Sequence, residues 1–292
     1  MRRRSPRESL SCWRQKRESA VHSQLEALHL GGSFNDAGDG MRYLVISDVH
    51  GNLEALRAVF AHAARKRRDA VLFLGDAVGY GASPNQVCER LRALGNGMIA
   101  VRGNHDRVVL DVRQGAVFFN SHARQAAAWS AEVLTPANRR FLEGVPVGPR
   151  IVEPGLAICH GSPTDEDDYL FTEAEARTAF AAISESVTFF GHSHIPCLFE
   201  IVEQAEPQRV VGVVLRGSRV AIDLDPTRRY LVNPGSVGQP RDRDPRAAYG
   251  IYDSTLRRFT LYRVTYDVNS AQRRILGAGL PAVLAERLFH GA

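Results

Sequence analysis

The stretch VISDVHGN, residues 45–52, sets the tightest limit on what this chain can fold into. It begins as a buried strand, continuing from Tyr43 and Leu44, and ends by presenting Asp48 and His50 two residues apart, beside Gly51. The pattern recurs. LFLGDAVGYG ends an apolar run in Asp76, AVRGNHD in Asn104, His105 and Asp106, LAICHGSP in His160, and VTFFGHSH in His192 and His194. Five apolar strands therefore finish in oxygen- or nitrogen-donor side chains, usually next to glycine. Open α/β sheets bind ligands at the carboxyl ends of their strands, and glycine allows the sharp turns that aim such donors at one point. Each piece alone has an ordinary explanation: a capping Asp, a polar turn, a hydrogen-bonded core histidine. The conjunction does not, because five of the ten histidines sit at these strand ends.

Around these motifs, hydrophobic periodicity from Met41 onward predicts a strand at 42–47 and a helix near 52–67 with Leu53, Leu56, Val59 and Phe60 on one face. A strand at 70–74, a helix near 84–94 opened by Pro84, and a strand in GMIAVRG follow. Helices are expected near 116–131, 136–143 and 172–183, the last behind the capping signal TEAE, with short strands around 148–152, 155–159 and 187–190. From 196 to 266 the pattern is mostly β, in CLFEIVE, RVVGVVL, RRYLVN, AAYGIYD and RFTLYRVTY, and one or two helices end the chain. A βαβ-like front half and a β-rich back half predict two packed sheets covered by helices, in one domain over 41–292.

The first forty residues differ. They are Arg- and Ser-rich, carry Glu8, Glu18, Glu26, Asp36 and Asp39, and lack strand periodicity. Transit peptides are poor in acidic residues, so residues 1–40 are expected to be a disordered or dispensable leader, and a chain starting at Met41 to keep its activity and stability. A net charge of +5 is too mild to imply nucleic acid, and the run Arg65-Lys66-Arg67-Arg68 suits the end of a helix, where cations complement the dipole. No apolar run approaches the ~18 residues of a membrane span. Cys12, Cys88, Cys159 and Cys197 form no C-x-x-C pair, which fits a reduced, cytoplasmic protein.

Seven donors are too many for one tetrahedral zinc and suit two divalent cations. Asp, Asn and His without thiolate favour Mn, Fe, Zn or Ni over Ca. Two such cations roughly 3.5–4 Å apart clamp an in-line displacement at phosphorus and acidify a bridging water, which makes phosphate-ester hydrolysis the natural reaction.

The order Asp48-x-His50, Gly75-Asp76, Gly103-Asn104-His105-Asp106, His160, Gly191-His192-Ser193-His194 resembles the calcineurin-like metallophosphoesterase superfamily, from about Met41 to at least Asp253. The resemblance implies a four-layer α/β sandwich with two mixed β-sheets flanked by helices. It implies one metal on Asp48, His50 and His194, a second on Asn104, His160 and His192, and Asp76 bridging both. A hydroxide between the metals would attack phosphorus, with His105 at the leaving-group oxygen and Asp106 orienting it. GDAVGYGASPNQVCERL and NPGSVGQPRD look like the compact bacterial and archaeal branch of small phosphodiesterases, some of which cleave dinucleoside polyphosphates. Asn52 and Arg241 are the candidate substrate contacts, Arg241 on a loop with Asn233, Gly235 and Ser236 whose amides are expected to face phosphate. The chain departs from the pattern G-D-x-V-D-R-G of phosphoprotein phosphatases and symmetrical diadenosine tetraphosphate hydrolases, because Gly79 and Tyr80 replace its second Asp and its Arg. Tyr80 either stacks on a substrate ring or packs as a loop aromatic.

The expected function is a two-metal phosphodiesterase for a small phosphodiester or nucleotide, with dinucleoside polyphosphate hydrolysis as the alternative. A catalytically silent scaffold is opposed by the presence of His105 and every ligand position. A nuclease would call for a basic, aromatic-lined groove, which no cluster near the motifs supplies. Apolar edge strands in the region 196–266 admit a homo-oligomer.

Overall fold

The structure, a computed structural model, describes residues 40–116, 119–202 and 209–292. The expected leader, with Cys12, lies outside them apart from Gly40. Residues Gly40–Ala292 form one compact unit.

The chain runs β1 (Arg42–Ile46), α1 (Leu53–Ala63), β2 (Ala70–Phe73), α2 (Pro84–Arg92), β3 (Met98–Ala100), α3 (Asn104–Leu110), α4 (Val112–Gly115), α5 (Ser121–Val133) and α6 (Pro136–Glu143). It continues through β4 (Arg150–Glu153), β5 (Leu156–Ile158), α7 (Glu173–Ala182), β6 (Val187–Phe189), β7 (Cys197–Val202), β8 (Arg209–Val214) and β9 (Arg219–Asp223). Strands β10 (Arg229–Asn233), β11 (Ala247–Asp253) and β12 (Arg258–Val264) precede α8 (Val268–Gly277) and α9 (Ala282–His290). Two six-stranded mixed sheets result, ordered β3-β2-β1-β11-β12-β9 and β4-β5-β6-β10-β7-β8. Strands β1, β2 and β3 are mutually parallel, as are β5, β6 and β10, so each sheet contributes a set of carboxyl ends.

Period-2 alternation makes the layers. On β1, Tyr43 and Val45 join Phe189, Val232 and Phe259 in an apolar seam between the sheets. Leu44 and Ile46 face the other way, onto Leu53, Leu56 and Val59 of α1. The second sheet buries its outer face, through Phe190, Phe199 and Leu231, against Ala176, Ala179 and Phe180 of α7. Helix, sheet, sheet and helix stack as the expected four-layer sandwich.

Several local outcomes differ from the sequence reading, among them the short helix α4, which has no counterpart there, and the start of α5 at Ser121 where the pattern places a helix from about 116. Helix α1 stops at Ala63, short of the basic run, yet Arg68 donates to the Ala63 carbonyl at 2.8 Å, so a cation still meets the helix end. Helix α3 begins at Asn104 itself, because Asp106 at the third helical position accepts from the Gly103 amide. That short capped turn carries too little apolar periodicity to be seen in sequence. Strand β9 has no counterpart in the sequence reading; among the described residues it pairs only with β12, at a sheet edge, and alternates between exposed and half-buried.

Candidate active site

The carboxyl ends of β1, β2, β3, β5 and β6 converge, and main-chain bonds lock their loops together. The amides of Asp48 and His50 donate to the carbonyls of Gly75 and Asp76 at 3.0 and 2.9 Å, and Gly191 N donates to His160 O at 2.7 Å. Five of the predicted ligands, Asp48, His50, Asp76, His192 and His194, lie at φ between +47° and +64°. Such backbone is rare for residues other than glycine and costs on the order of 1–3 kcal/mol each. Strain gathered on these particular residues marks the site independently of any motif. Gly103 permits one close approach, since a Cβ there would collide with the Asp76 carboxylate.

All seven predicted ligands are buried and fall into two groups sharing Asp76. One is Asp48, His50, Asp76 and His194; the other is Asp76, His160 and His192, with Asn104 Oδ1 3.2 Å from His160 Nε2. His50 and His160 approach Asp76 Oδ2 at 3.5 and 3.4 Å. Backbone carbonyls fix the rings: His50 Nδ1 donates to Val78 O at 3.1 Å, His194 Nδ1 to Gln239 O at 2.6 Å, and His192 Nε2 to Asp167 O at 3.1 Å. A carbonyl only accepts, so those nitrogens carry the protons and the opposite ones are bare.

The electrostatics agree. Burial pulls the His50 pKa down to about 4 and His192 to about 3, and holds His105 and His194 well below the usual imidazole range. Burial also raises Asp48 to about 7. Burial opposes the charged forms of Asp76 and His160 too and is the largest single influence, but their mutual attraction together with neighbouring charges and hydrogen bonds outweighs it, keeping Asp76 far below the carboxylate range and lifting His160 to about 10.

Two divalent cations fit this donor set. His50 Nε2 and His194 Nε2 face each other at 3.0 Å with no proton between them, a repulsive contact that a shared cation relieves. Asp48 Oδ2 and Asp76 Oδ2 are buried without any hydrogen-bond partner, which costs roughly 1–3 kcal/mol each, more when charged. The sequence profile of the calcineurin-like phosphoesterase superfamily domain matches residues 41–255. The chain belongs to that superfamily.

As a calcineurin-like phosphoesterase it is a metal-dependent phosphoester hydrolase of a family that works with divalent metals. It is similar to a metallophosphoesterase crystal structure from Sphaerobacter thermophilus, at 37% identity and a TM-score of 0.75 over 87% of this chain and 100% of that one. An uncharacterized protein of Methanocaldococcus jannaschii is 36% identical over 85% of this chain and 97% of its own length. The phosphodiesterase YfcE of Escherichia coli (strain K12) is 27% identical over 73% of this chain and 88% of its own.

The remaining predicted residues of this phosphoesterase sit as follows. His105 is buried among the rings of Tyr80, Phe119 and His50, with centroids at 4.4, 4.4 and 4.8 Å, and its Nδ1 has no partner. Gly79 explains this opening: at φ +86°, its Cβ position lies 2.5 Å from that nitrogen. Asp106 does not bond the His105 ring. Its carboxylate accepts from the amides of Asp76, Val78 and Gly103 at 2.9, 3.2 and 3.2 Å, tying two ligand loops together. Asn52 caps α1 through Ala55 N and spends both amide protons, on Gly238 O and Tyr266 Oη. The loop after β10 turns its polar groups inward: Asn233 donates to Gly191 O at 2.7 Å, Ser236 Oγ and Gly238 N donate to Asp48 O, and Val237 N donates to Ser47 O. Those amides brace the ligand loops and are not left to cradle a phosphate. Arg241 does face the site, donating to Tyr80 Oη at 3.4 Å and Gln239 Oε1 at 3.2 Å.

Sequence reading missed the carbonyls of Leu74, Val78, Asp167 and Gln239, which set the imidazole tautomers; a carbonyl has no sequence signature. It also missed Tyr169, whose ring lies 4.0 Å from that of His192 and stacks on Phe171 at 5.0 Å.

Proposed function

We propose that this chain is a two-metal phosphodiesterase acting on a small phosphodiester or nucleotide, with Mn²⁺ as the working metal. The observation that carries the reading is the pair of bare nitrogens on His50 and His194, set against two buried carboxylate oxygens that accept no hydrogen bond. Asp48, His50 and His194 would hold one cation, Asn104, His160 and His192 the other, and Asp76 both. When bound, such cations polarise the phosphoryl oxygens and acidify the attacking water. Mixed oxygen and imidazole donors without thiolate suit Mn²⁺. The name of the Escherichia coli relative, a phosphodiesterase, supports the diester class.

The protein's own groups supply the rest. Asp106 holds the Asp76 loop against the Gly103 turn, so the shared carboxylate stays in place. Burial keeps the His105 ring neutral while the site holds no substrate. An arriving phosphodiester anion favours uptake of a proton from solvent by this ring, and the imidazolium gives that proton to the departing oxygen as its bond to phosphorus breaks. Arg241 presents a permanent charge to the same phosphate. Gly79 leaves His105 without the carboxylate that the protein-phosphatase pattern places there, so after burial the Asp76 charge is the main protein influence on the ring. Three buried unpaired thiols, Cys88, Cys159 and Cys197, suit a reducing cytoplasm, and no helix among the described residues is long and apolar enough to cross a membrane.

The test is hydrolysis of bis(4-nitrophenyl) phosphate by metal-free protein, before and after Mn²⁺, beside 4-nitrophenyl phosphate. Mn²⁺-dependent cleavage of the diester in preference to the monoester is expected. Metal-independent turnover, or preference for the monoester, would sink the reading.

A further inference from the structure

The four main-chain carbonyls that fix the ligand imidazoles are not equally anchored. Leu74, Val78 and Gln239 are buried, on loops tied into the fold: Leu74 N donates to Ile46 O, Val78 N to Asp106 Oδ1, and Gln239 N to Ser236 Oγ. Asp167, whose carbonyl accepts from His192 Nε2 at 3.1 Å, is exposed. The loop that carries it, residues 161–168, makes many of its bonds within itself. Asp167 N donates to Asp165 Oδ1 at 2.9 Å, Ser162 N to Asp165 O at 2.8 Å, and Ser162 Oγ to Asp168 Oδ2 at 2.9 Å. Such bonds give the loop its shape without fixing it against the centre.

Arg107 supplies a fixed point from outside the loop. Its guanidinium meets both carboxylate oxygens of Asp167, at 3.0 and 2.7 Å, and Glu166 Oε1 at 2.9 Å. A planar fork gripping two adjacent carboxylates sets geometry as well as charge, which an ammonium does not. Arg107 stands on α3, one turn after Asn104, and the next two residues, Val108 and Val109, lie in the apolar core. Asp106, in the same turn, accepts from the amides of Asp76 and Gly103. The grip therefore joins a rigid part of the site to a loosely held one. Tyr169, two residues beyond Asp167, brings its ring to 4.0 Å from that of His192, so this loop touches the imidazole by a carbonyl and by a ring.

The sign of the charge speaks against a purely electrostatic purpose. A guanidinium one helical turn from a metal ligand opposes the arrival of a further cation. If charge were its whole effect, removing it would tighten metal binding. Its geometry works the other way, by holding in place the acceptor that leaves His192 with Nδ1 bare.

We infer that Arg107 is a positioning residue for the cation that Asn104, His160 and His192 would hold. Through Asp167 and Glu166 it keeps the Asp167 carbonyl on His192 Nε2, and so keeps Nδ1 offered beside the other two ligands. The inference rests on the two-metal reading, and deepens it by naming a residue on which one of the two sites depends.

The experiment titrates the metal-free full chain with Mn²⁺, reading free Mn²⁺ by electron paramagnetic resonance, in the parent, Arg107→Ala, Arg107→Lys and Asp167→Ala. The parent should bind two cations. Arg107→Ala should weaken one of them by about 10–100-fold, as for other groups that orient a ligand imidazole, and leave the other unchanged. Arg107→Lys should fall between the two. Asp167→Ala should match Arg107→Ala, and the double variant should be no worse than either, since both break the same link. Unchanged or tighter binding in Arg107→Ala, or equal weakening at both sites, would overturn the inference. The His192 tautomer, read by ¹⁵N NMR of histidine-labelled metal-free chain at one pH, supplies an independent reading. It should be the single Nε2–H form in the parent and a mixture in Arg107→Ala; a single form in both would overturn the positioning role. If the parent binds one cation only, the two-metal reading fails, and the tautomer measurement still decides whether Arg107 positions His192.

Discussion

The floor of the centre and its rim are built by opposite means. The floor consists of seven buried side chains, six on short loops at strand ends and Asn104 at the start of α3, with five in left-handed backbone and every histidine tautomer set by a main-chain carbonyl. The rim is drawn from distant parts of the chain: Tyr80 after β2, Tyr169 before α7, Arg241 after β10 and Arg287 on α9. Tyr169 and Phe171 remain 41% and 54% exposed. A floor of this kind dictates which chemistry is done, and a rim of this kind selects what it is done to.

That division can be broken most sharply at Asp76. Asp76→Asn removes the one carboxylate common to both ligand groups, and is expected to abolish binding of the second metal and lower turnover by roughly 10³-fold or more. Metal content by elemental analysis, read beside activity, checks it; two metals per chain with normal turnover would show that Asp76 does not bridge. His105→Ala should separate floor from reaction. Metal content stays, while turnover falls by about 10²–10⁴-fold, as for a lost general acid. Unaltered turnover would remove His105 from the chemistry.

The smallest of the three effects falls on Gly79, where floor and rim touch. Gly79→Ala must place a Cβ at φ +86° and 2.5 Å from His105 Nδ1, so it should destabilise the fold by about 1–2 kcal/mol and displace the His105 ring. Thermal unfolding and kcat should both fall while metal content holds. If kcat is preserved, the space beside His105 is not needed for its action.

The same contrast decides what the sequence discloses. The floor is legible because each loop ends an apolar run with a donor and a glycine, a signal contained within ten residues, as in LFLGDAVGYG. The two sheets are legible for the same reason: their strands are continuous apolar runs or clean alternations. Helix α3 and strand β9 are not, one because capping by Asp106 makes it, the other because pairing with β12 makes it. Asn52 and the loop after β10 have the composition of a phosphate cradle, yet their hydrogen bonds are spent on Gly238, Gly191 and Asp48. Composition gives the capacity to bond, and only the fold says with what. Arg287 carries no local mark at all; it reaches the rim only because α9 packs on Tyr80, more than two hundred positions earlier in the chain.

The left-handed backbone at Asp48, His50, Asp76, His192 and His194 also bears on how such a centre drifts over generations. Outside glycine, the residues most at ease at these angles are Asn, Asp and His. These are also side chains that coordinate hard and borderline metals. Replacement by Val, Ile or Thr meets a steric barrier before any chemistry is tested. Exchange of one donor for another does not, and the main-chain bonds between the loops survive it. A lineage carrying this frame is thus channelled toward altered metal preference rather than toward loss of the metal, since the geometry filters substitutions before selection acts on them.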